Sequence, residues 1–244
     1  MTAHAAASPS SAAMWLNCPA SITLAKGMTR PSSLYAKEGT AAHQIAEMIL
    51  QGNLFPPGKI KIEGSEFIVG LPMLGFLNPY ITFAQNLITN ANDWYCEKQV
   101  KINDLVWGTT DFAARTGHTL DIVDLKYGKG VPVAPGSAQL KIYAIAAYKT
   151  MWDGDYIDTV NLTVVQPRIN MSPQTLTMSS LDLWEWGKTE LAPAIDRLEA
   201  NDTTEKYGAW CRWCVRKHEC NAFRNHKNSA AAETFDDGVD TLSN

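Results

Sequence analysis

Five polar residues, Asp111, Asp124, Lys126, Gln139 and Tyr143, fall in one stretch from Trp107 to Tyr143. The stretch reads as two β-like segments, a short turn, a Gly/Pro-rich loop and the start of a helix. Residues 119–126 (TLDIVDLK) are β-branched and apolar, as a strand requires. Alternate side chains of a strand share a face, so Ile122, Asp124 and Lys126 lie together and Asp121, Val123 and Leu125 lie opposite. Asp124 and Lys126 are then roughly 6–7 Å apart along the strand. A carboxylate at that spacing from an ammonium suits a cation ligand beside a group that handles water. Residues 107–115 are expected to pair antiparallel with this strand after a turn at Gly117. Asp111 would share its face with Thr109, Ala113 and Arg115, and two carboxylates would converge. A hard cation such as Mg²⁺ takes oxygen ligands of this kind and keeps several waters. Gln139 and Tyr143 are four apart and share one face if 137–150 is helical.

The elements that must position these groups follow in order. A helix is expected from 41 to about 51, capped by Thr40 and closed by Gly52, carrying His43 and Glu47 one turn apart. Residues 59–70 (KIKIEGSEFIVG) suggest a hairpin that decorates the domain. A helix from about 76 to 95, a strand at 97–102, the two central strands and the helix 137–151 come next. An apolar strand at 159–166 (TVNLTVVQ) reads as central in a sheet. A long helix from 180 to 199, interrupted near Pro193, closes the series. The sum is an α/β sandwich with a mixed central sheet flanked by helices.

Four motifs occur in one order: His43 in GTAAH, Asp111 in GTTD, D-L-K at 124–126 and Q-L-K-I-Y at 139–143. Together they resemble the PD-(D/E)XK nucleases, and the RecB-type branch in particular. The resemblance covers roughly residues 14–224. It implies a restriction-endonuclease-like αβββαβ core. It also implies metal-dependent hydrolysis of a DNA phosphodiester. Asp111, Asp124, the backbone carbonyl of Leu125 and His43 would hold Mg²⁺ or Mn²⁺, Lys126 would position a water or stabilise the transition state, and Gln139 and Tyr143 would orient DNA or the lysine. Glu38, Glu47 and Glu97 are further acid candidates. Tyr127, Lys129 and Arg168 could contact phosphates, although loop cations look the same when merely solvated. Trp184 and Trp186 read as core rather than as a stacking platform.

Of five cysteines, Cys211, Cys214 and Cys220 form C-x2-C-x5-C near one end, and Cys18 lies near the other. Thiolates in such a cluster favour zinc or iron–sulfur. A four-cysteine [4Fe-4S] site needs Cys18 as the fourth ligand and requires the chain ends to meet. A zinc site of Cys211, Cys214, His218 and Cys220 would leave Cys18 free. The same arrangement of one N-terminal and three C-terminal cysteines resembles the iron–sulfur RecB-type nucleases, which include the AddB nuclease domain and CRISPR-associated members. Cys96, beside Trp94 and Tyr95, reads as a buried small hydrophobe.

At 244 residues the chain can bury a sizeable core. Its net charge of −4 argues against a broad basic nucleic-acid surface. The tail 225–244 sets one lysine against four carboxylates, so the body is nearly neutral, and local patches decide. No run approaches the length of a membrane span, and residues 1–13 have no secretory pattern, which makes a cytoplasmic location the expectation. Residues 1–13 are expected to be a disordered leader, 14–224 the nuclease domain and 225–244 a disordered acidic tail. The chain also resembles short phage or prophage proteins. That implies an exonuclease for phage DNA recombination, replication or end processing, with DNA and a recombinase or single-strand-binding protein as partners. Two other readings are a non-catalytic DNA-binding or scaffolding module of the same fold and a redox-gated iron–sulfur DNA-binding protein.

Overall fold

A computed structural model describes residues 5–28, 32–53 and 56–236. In chain order its elements are short helices α1 (Ala12–Trp15) and α2 (Ala20–Thr23), helix α3 (Leu34–Leu50), hairpin strands β1 (Lys59–Ile62) and β2 (Ser65–Ile68), and helix α4 (Leu71–Asn90). Strands β3 (Asp93–Lys101), β4 (Trp107–Thr116) and β5 (Thr119–Leu125) follow, then helix α5 (Ala138–Met151) and strands β6 (Thr159–Gln166) and β7 (Asn170–Ser179). Helices α6 (Ser180–Trp186), α7 (Ala192–Glu199) and α8 (Asn221–Asp236) are the last elements of the described residues.

The five main strands form one mixed sheet, in the order β3-β4-β5-β6-β7. β5 and β6 run parallel, and α5 is the crossover between them. All other neighbours are antiparallel. The succession of helix, three strands, helix and strand is the expected one.

Strand alternation sorts the core into two layers. Phe112, Ala114, Val123, Leu125 and Val165 pack against α3 and α4 through Ile45, Ala42 and Leu77. Ala113, Leu120, Ile122 and Leu162 pack on the other side against Leu140, Ala144 and Leu183. The face assignment drawn from TLDIVDLK therefore holds, and Asp124 stands on the α5 side.

The hairpin lies where expected, and its turn residues Glu63 and Gly64 both have positive φ, 45° and 80°. That is the backbone a tight two-residue hairpin turn demands, and the glycine lowers its cost.

Several boundaries differ from expectation. α3 begins at Leu34, capped by Ser33, whose Oγ accepts from Ala36 N at 3.2 Å. Thr40 sits inside the helix and donates back to Ala36 O. α4 starts at Leu71 because Pro72 suits a first turn, and residues 93–95 belong to β3 instead. β7, an edge strand containing Pro173 and mostly exposed, was not foreseen, since its polar sequence carries no apolar alternation. The 180–199 segment is broken at Gly187–Leu191 by a π-helical turn, just ahead of Pro193.

Residues 5–13 are packed rather than loose. Ala7 and Ala12 are buried, Ala7 N donates to Leu105 O at 3.0 Å, and Trp15 is wholly buried with Nε1 bonded to Ser8 O at 2.9 Å. These residues form a third cluster with Val106, Ile142 and Leu191. A short Ala/Ser/Pro segment without periodicity gave no sign of this docking. Helix α8 enters the region expected to be a disordered tail and runs to Asp236. Residues 1–4 of the leader and 237–244 of the tail lie outside the described residues. Among the described residues no helix is long and apolar enough to cross a membrane.

Candidate metal and catalytic centre

The centre sits where β4 and β5 part. Their ladder runs from Thr116↔Thr119 to Phe112↔Val123, and the next pair would be Asp111 and Asp124. There the side chain of Asp111 takes over the ladder. Its Oδ2 accepts from Leu125 N at 2.7 Å, so the strands fork and both carboxylates are placed at the opening.

On the other side of β4 a second irregularity faces Asp111. β3 and β4 keep one register through Cys96↔Phe112 and Lys98↔Thr110, with Glu97 and Asp111 the interrupted pair between them. Glu97 has φ +46°, in the left-handed region that costs a non-glycine residue on the order of 1–2 kcal/mol. This breaks the strand alternation and brings its carboxylate to His43 on α3. His43 Nδ1 lies 3.2 Å from Glu97 Oε1 and 3.4 Å from Asp111 Oδ1. His43, Glu97 and Asp111 thus offer three ligand atoms within 4.8 Å of one another. One imidazole nitrogen and two carboxylates form a donor set that fits a divalent cation.

Asp124 lies beside this triad, with its carboxylate engaged by Lys126 and Gln139. Lys126 Nζ is 2.8 Å from Asp124 Oδ2 and 3.0 Å from Oδ1, and Gln139 Nε2 donates to Oδ1 at 2.8 Å. Tyr143, one turn further along α5, is buried on the same face as Gln139. Gly108 of the GTTD motif lies under the Tyr143 ring and Pro9. An added Cβ there would meet Pro9 Cδ at 3.0 Å and Tyr143 Cε1 at 3.2 Å.

The electrostatics follow from crowding charge into a largely buried site. Burial lifts the Asp124 carboxyl to about 6, Lys126 opposes that rise, and Asp111 adds to it. Burial disfavours the Lys126 ammonium, but Asp124 and Asp111 more than offset this and hold its pKa above the usual value. Burial likewise works against the His43 cation. Asp111 and then Glu97 outweigh it, and His43 titrates well above an ordinary histidine. Burial raises Glu97, partly relieved by His43, while Asp111 is held low against burial by His43 and Lys126. Burial and the nearby Asp111 and Asp124 keep the Tyr143 phenol protonated.

A cleft of about 910 Å³ opens from His43, Leu125 and Lys126 and continues past Tyr127, Lys129 and Arg168. Tyr127 is buried edge-on against Phe76 and supports the Arg168 guanidinium, 5.0 Å from its ring centre. Arg168 pairs with Glu38 at 3.1 Å. Lys129 stands exposed on the loop. Gln166 was not singled out by the sequence. Its Oε1 accepts from Val133 N and its Nε2 donates to Val131 O, both at 3.2 Å, so it clasps the Gly/Pro-rich loop that walls the cleft.

The expected residues His43, Asp111, Asp124, Lys126, Gln139 and Tyr143 are brought together. Glu97 moves from one of three outlying acids to a member of the triad. The discoverable signal was its position directly across the antiparallel register from Asp111. Glu38 pairs with Arg168 instead, and Glu47 accepts from Gln51 Nε2 at 3.1 Å.

The segment around Cys18 meets the segment that leads into the other three cysteines, as a four-cysteine site requires. Thr23 Oγ1 donates to Asp202 O at 2.7 Å and Arg197 donates to Leu16 O at 2.7 Å. Cys18 Sγ accepts from Lys206 N at 3.4 Å, and Cys211 Sγ lies 4.0 Å from Lys206 O. Burial raises the Cys214 thiol, and Cys18, Cys211 and Cys220 contribute to the same rise. The five cysteines are free thiols, and among the described residues no three of them bring their sulfurs within 4.8 Å of one another. The metal cluster expected at this point is therefore not shown. Cys96 is half-buried rather than buried, 3.8 Å from Gln51 Nε2.

Among solved structures the chain is similar to SSO0001, with 11% identity, 91% of this chain and 89% of that one covered, and a TM-score of 0.41. It is similar to an alkaline exonuclease, LHK-Exo from Laribacter hongkongensis, with 14% identity, 74% and 87% covered, and a TM-score of 0.32. For LHK-Exo in complex with dAMP the values are 15%, 78% and 91%, and 0.31. A family model described as "Protein of unknown function (DUF2800)" matches residues 4–243, and the chain belongs to that family.

Proposed function

We propose that this chain is a divalent-metal-dependent deoxyribonuclease, and that it works as an exonuclease. The observation that carries the reading is the convergence of His43, Glu97 and Asp111 beside the Asp124–Lys126 pair, at the fork of β4 and β5. Mg²⁺ or Mn²⁺ would be held by the triad, with Asp124 and the Leu125 carbonyl at its edge. When bound, it would lower the pKa of a water and offset charge developing on the phosphate. Lys126, kept cationic by two carboxylates, places a positive charge beside the scissile phosphate and the attacking water. Asp124 fixes the lysine and is itself held by Gln139, with Tyr143 packed one turn further along the same helix. Tyr127, Lys129 and Arg168 line the path away from the centre and contact the strand.

The finer family reading is that of the RecB-type iron–sulfur branch. Cys18, Cys211, Cys214 and Cys220 would carry a [4Fe-4S] cluster that staples the two ends of the chain. The contacts of Cys18 with Lys206 N and of Cys211 with Lys206 O favour this set over the zinc set with His218, which leaves Cys18 out. A role in phage DNA recombination, replication or end processing, with a recombinase or single-strand-binding partner, belongs to the same reading.

The test is cleavage of end-labelled linear DNA by anaerobically purified protein with Mg²⁺ or Mn²⁺, alongside Asp124→Ala. Metal-dependent degradation lost in the variant supports the nuclease, and the labelled products give its polarity. A well-folded wild type that binds DNA without cutting it would instead support a non-catalytic binding module.

A further inference from the structure

The cleft combines cations with exposed apolar side chains. Its walls carry three cations, Lys126, Lys129 and Arg168, of which Lys126 pairs with Asp124 and Arg168 with Glu38, while Lys129 is exposed on the loop. Its rim is apolar and exposed. Tyr35, Val131 and Trp213 line it with 79%, 55% and 57% of their surface free. The Arg212 guanidinium sits 4.9 Å from the Trp213 ring centre and adds a cation beside that platform. Both rim walls are fixed. Trp213 ends the short 3-10 turn Ala209–Trp213, anchored by buried Cys211, and Val131 is held by Gln166.

Cations that track a backbone, combined with open aromatic faces, are what a single strand uses. A duplex offers such faces only its terminal base pairs, because its interior bases are already stacked on each other. We propose that the cleft takes its polynucleotide as a single strand, with phosphates along Lys126, Lys129 and Arg168 and bases stacked on Trp213 and Tyr35. This rests on the nuclease reading of the adjoining centre. It adds a substrate form and two specificity-determining aromatic residues. The cysteine-bearing end of the chain thereby shapes the substrate path as well as tying the termini together.

The experiment is fluorescence anisotropy with Ca²⁺ in place of the active metal, using one labelled oligonucleotide in three forms: single-stranded, blunt duplex, and single-stranded with abasic sites throughout. The intact strand is expected to bind at least 10-fold more tightly than the other two. Trp213→Ala should weaken the intact strand by roughly 5- to 150-fold, the range for loss of one base–aromatic stack. It should leave the abasic strand and the salt dependence unchanged, since phosphate contacts set that slope. Trp213→Phe should restore most of the affinity. Tyr35→Ala, on α3 and away from the cysteines, should show the same selective loss, which separates stacking from damage to the fold. Equal binding of duplex or abasic strand, or no loss in either alanine variant, would overturn the proposal. Metal-dependent cleavage measured on the same three substrates keeps the two readings apart. Cutting without strand preference leaves the nuclease and removes this inference. Base-dependent single-strand binding without cutting does the reverse.

Discussion

Replacing Glu97 by glutamine changes one charge and almost no volume, and its effects should have opposite signs on metal binding and on stability. Without metal, Glu97 is a disfavoured anion, because burial and Asp111 both raise its pKa. A carboxyl whose folded pKa is raised destabilises the fold at pH values above that pKa, where it must ionise in place. Glutamine removes that penalty and can still accept from His43 Nδ1, 3.2 Å away. The metal-free variant is therefore expected to melt at or above the wild-type temperature at pH 7.5. The metal site loses one of its two anionic donors. Loss of even an outer partner of a metal ligand costs about 10- to 100-fold in affinity, and a direct donor should reach the upper end, about 2.7 kcal/mol. Titration calorimetry with Mn²⁺ reads the affinity, and thermal melts with and without Mn²⁺ read the linkage. Glu97→Gly should gain a further roughly 1 kcal/mol without metal by relieving the positive φ, about 2–4 °C for a chain of this size. Unchanged Mn²⁺ affinity in Glu97→Gln, or a large loss of metal-free stability, would refute this account of the residue.

Lys126→Met should abolish cleavage while Mn²⁺ still binds, and the Asp124 carboxyl, already at about 6, should rise further once its cation is gone; persistent cleavage would remove Lys126 from the chemistry. Because His43 is held protonated by Asp111 and Glu97, metal binding must displace that proton, so affinity should fall as pH falls and calorimetry in buffers of different ionisation enthalpy should show proton release near neutrality. Binding without proton exchange would show that His43 is not a ligand. On the proposed four-cysteine reading, anaerobically purified protein carries iron and a visible absorbance, and Cys18→Ala loses both and melts at a lower temperature. Full iron retention would sink the four-cysteine site.

What could be read from the chain alone was set by strand and helix periodicity. Period-two alternation placed Ile122 and Asp124 on the α5 face, and the four-residue spacing put Gln139 and Tyr143 on the helix that meets them. Those regularities hold because apolar neighbours on both faces of β5 lock its register. Glu97 could be read only as one of three further acids, because its place in the triad depends on a left-handed residue in mid-strand, which breaks the alternation that sequence reading relies on. Gln166 escaped because its partners are backbone groups of a loop, and these have no sequence signature. Residues 5–13 hold no periodic apolar pattern, yet two alanines and Trp15 suffice to dock them. β7 is an exposed edge, where polar residues carry no strand signal.

The most direct test of the central claim is an anomalous difference map from crystals grown with Mn²⁺. The account predicts a peak between His43, Glu97 and Asp111, absent in an Asp111→Asn crystal. A saturating Mn²⁺ concentration that gives no peak there, in crystals of protein that degrades DNA in solution, would contradict it.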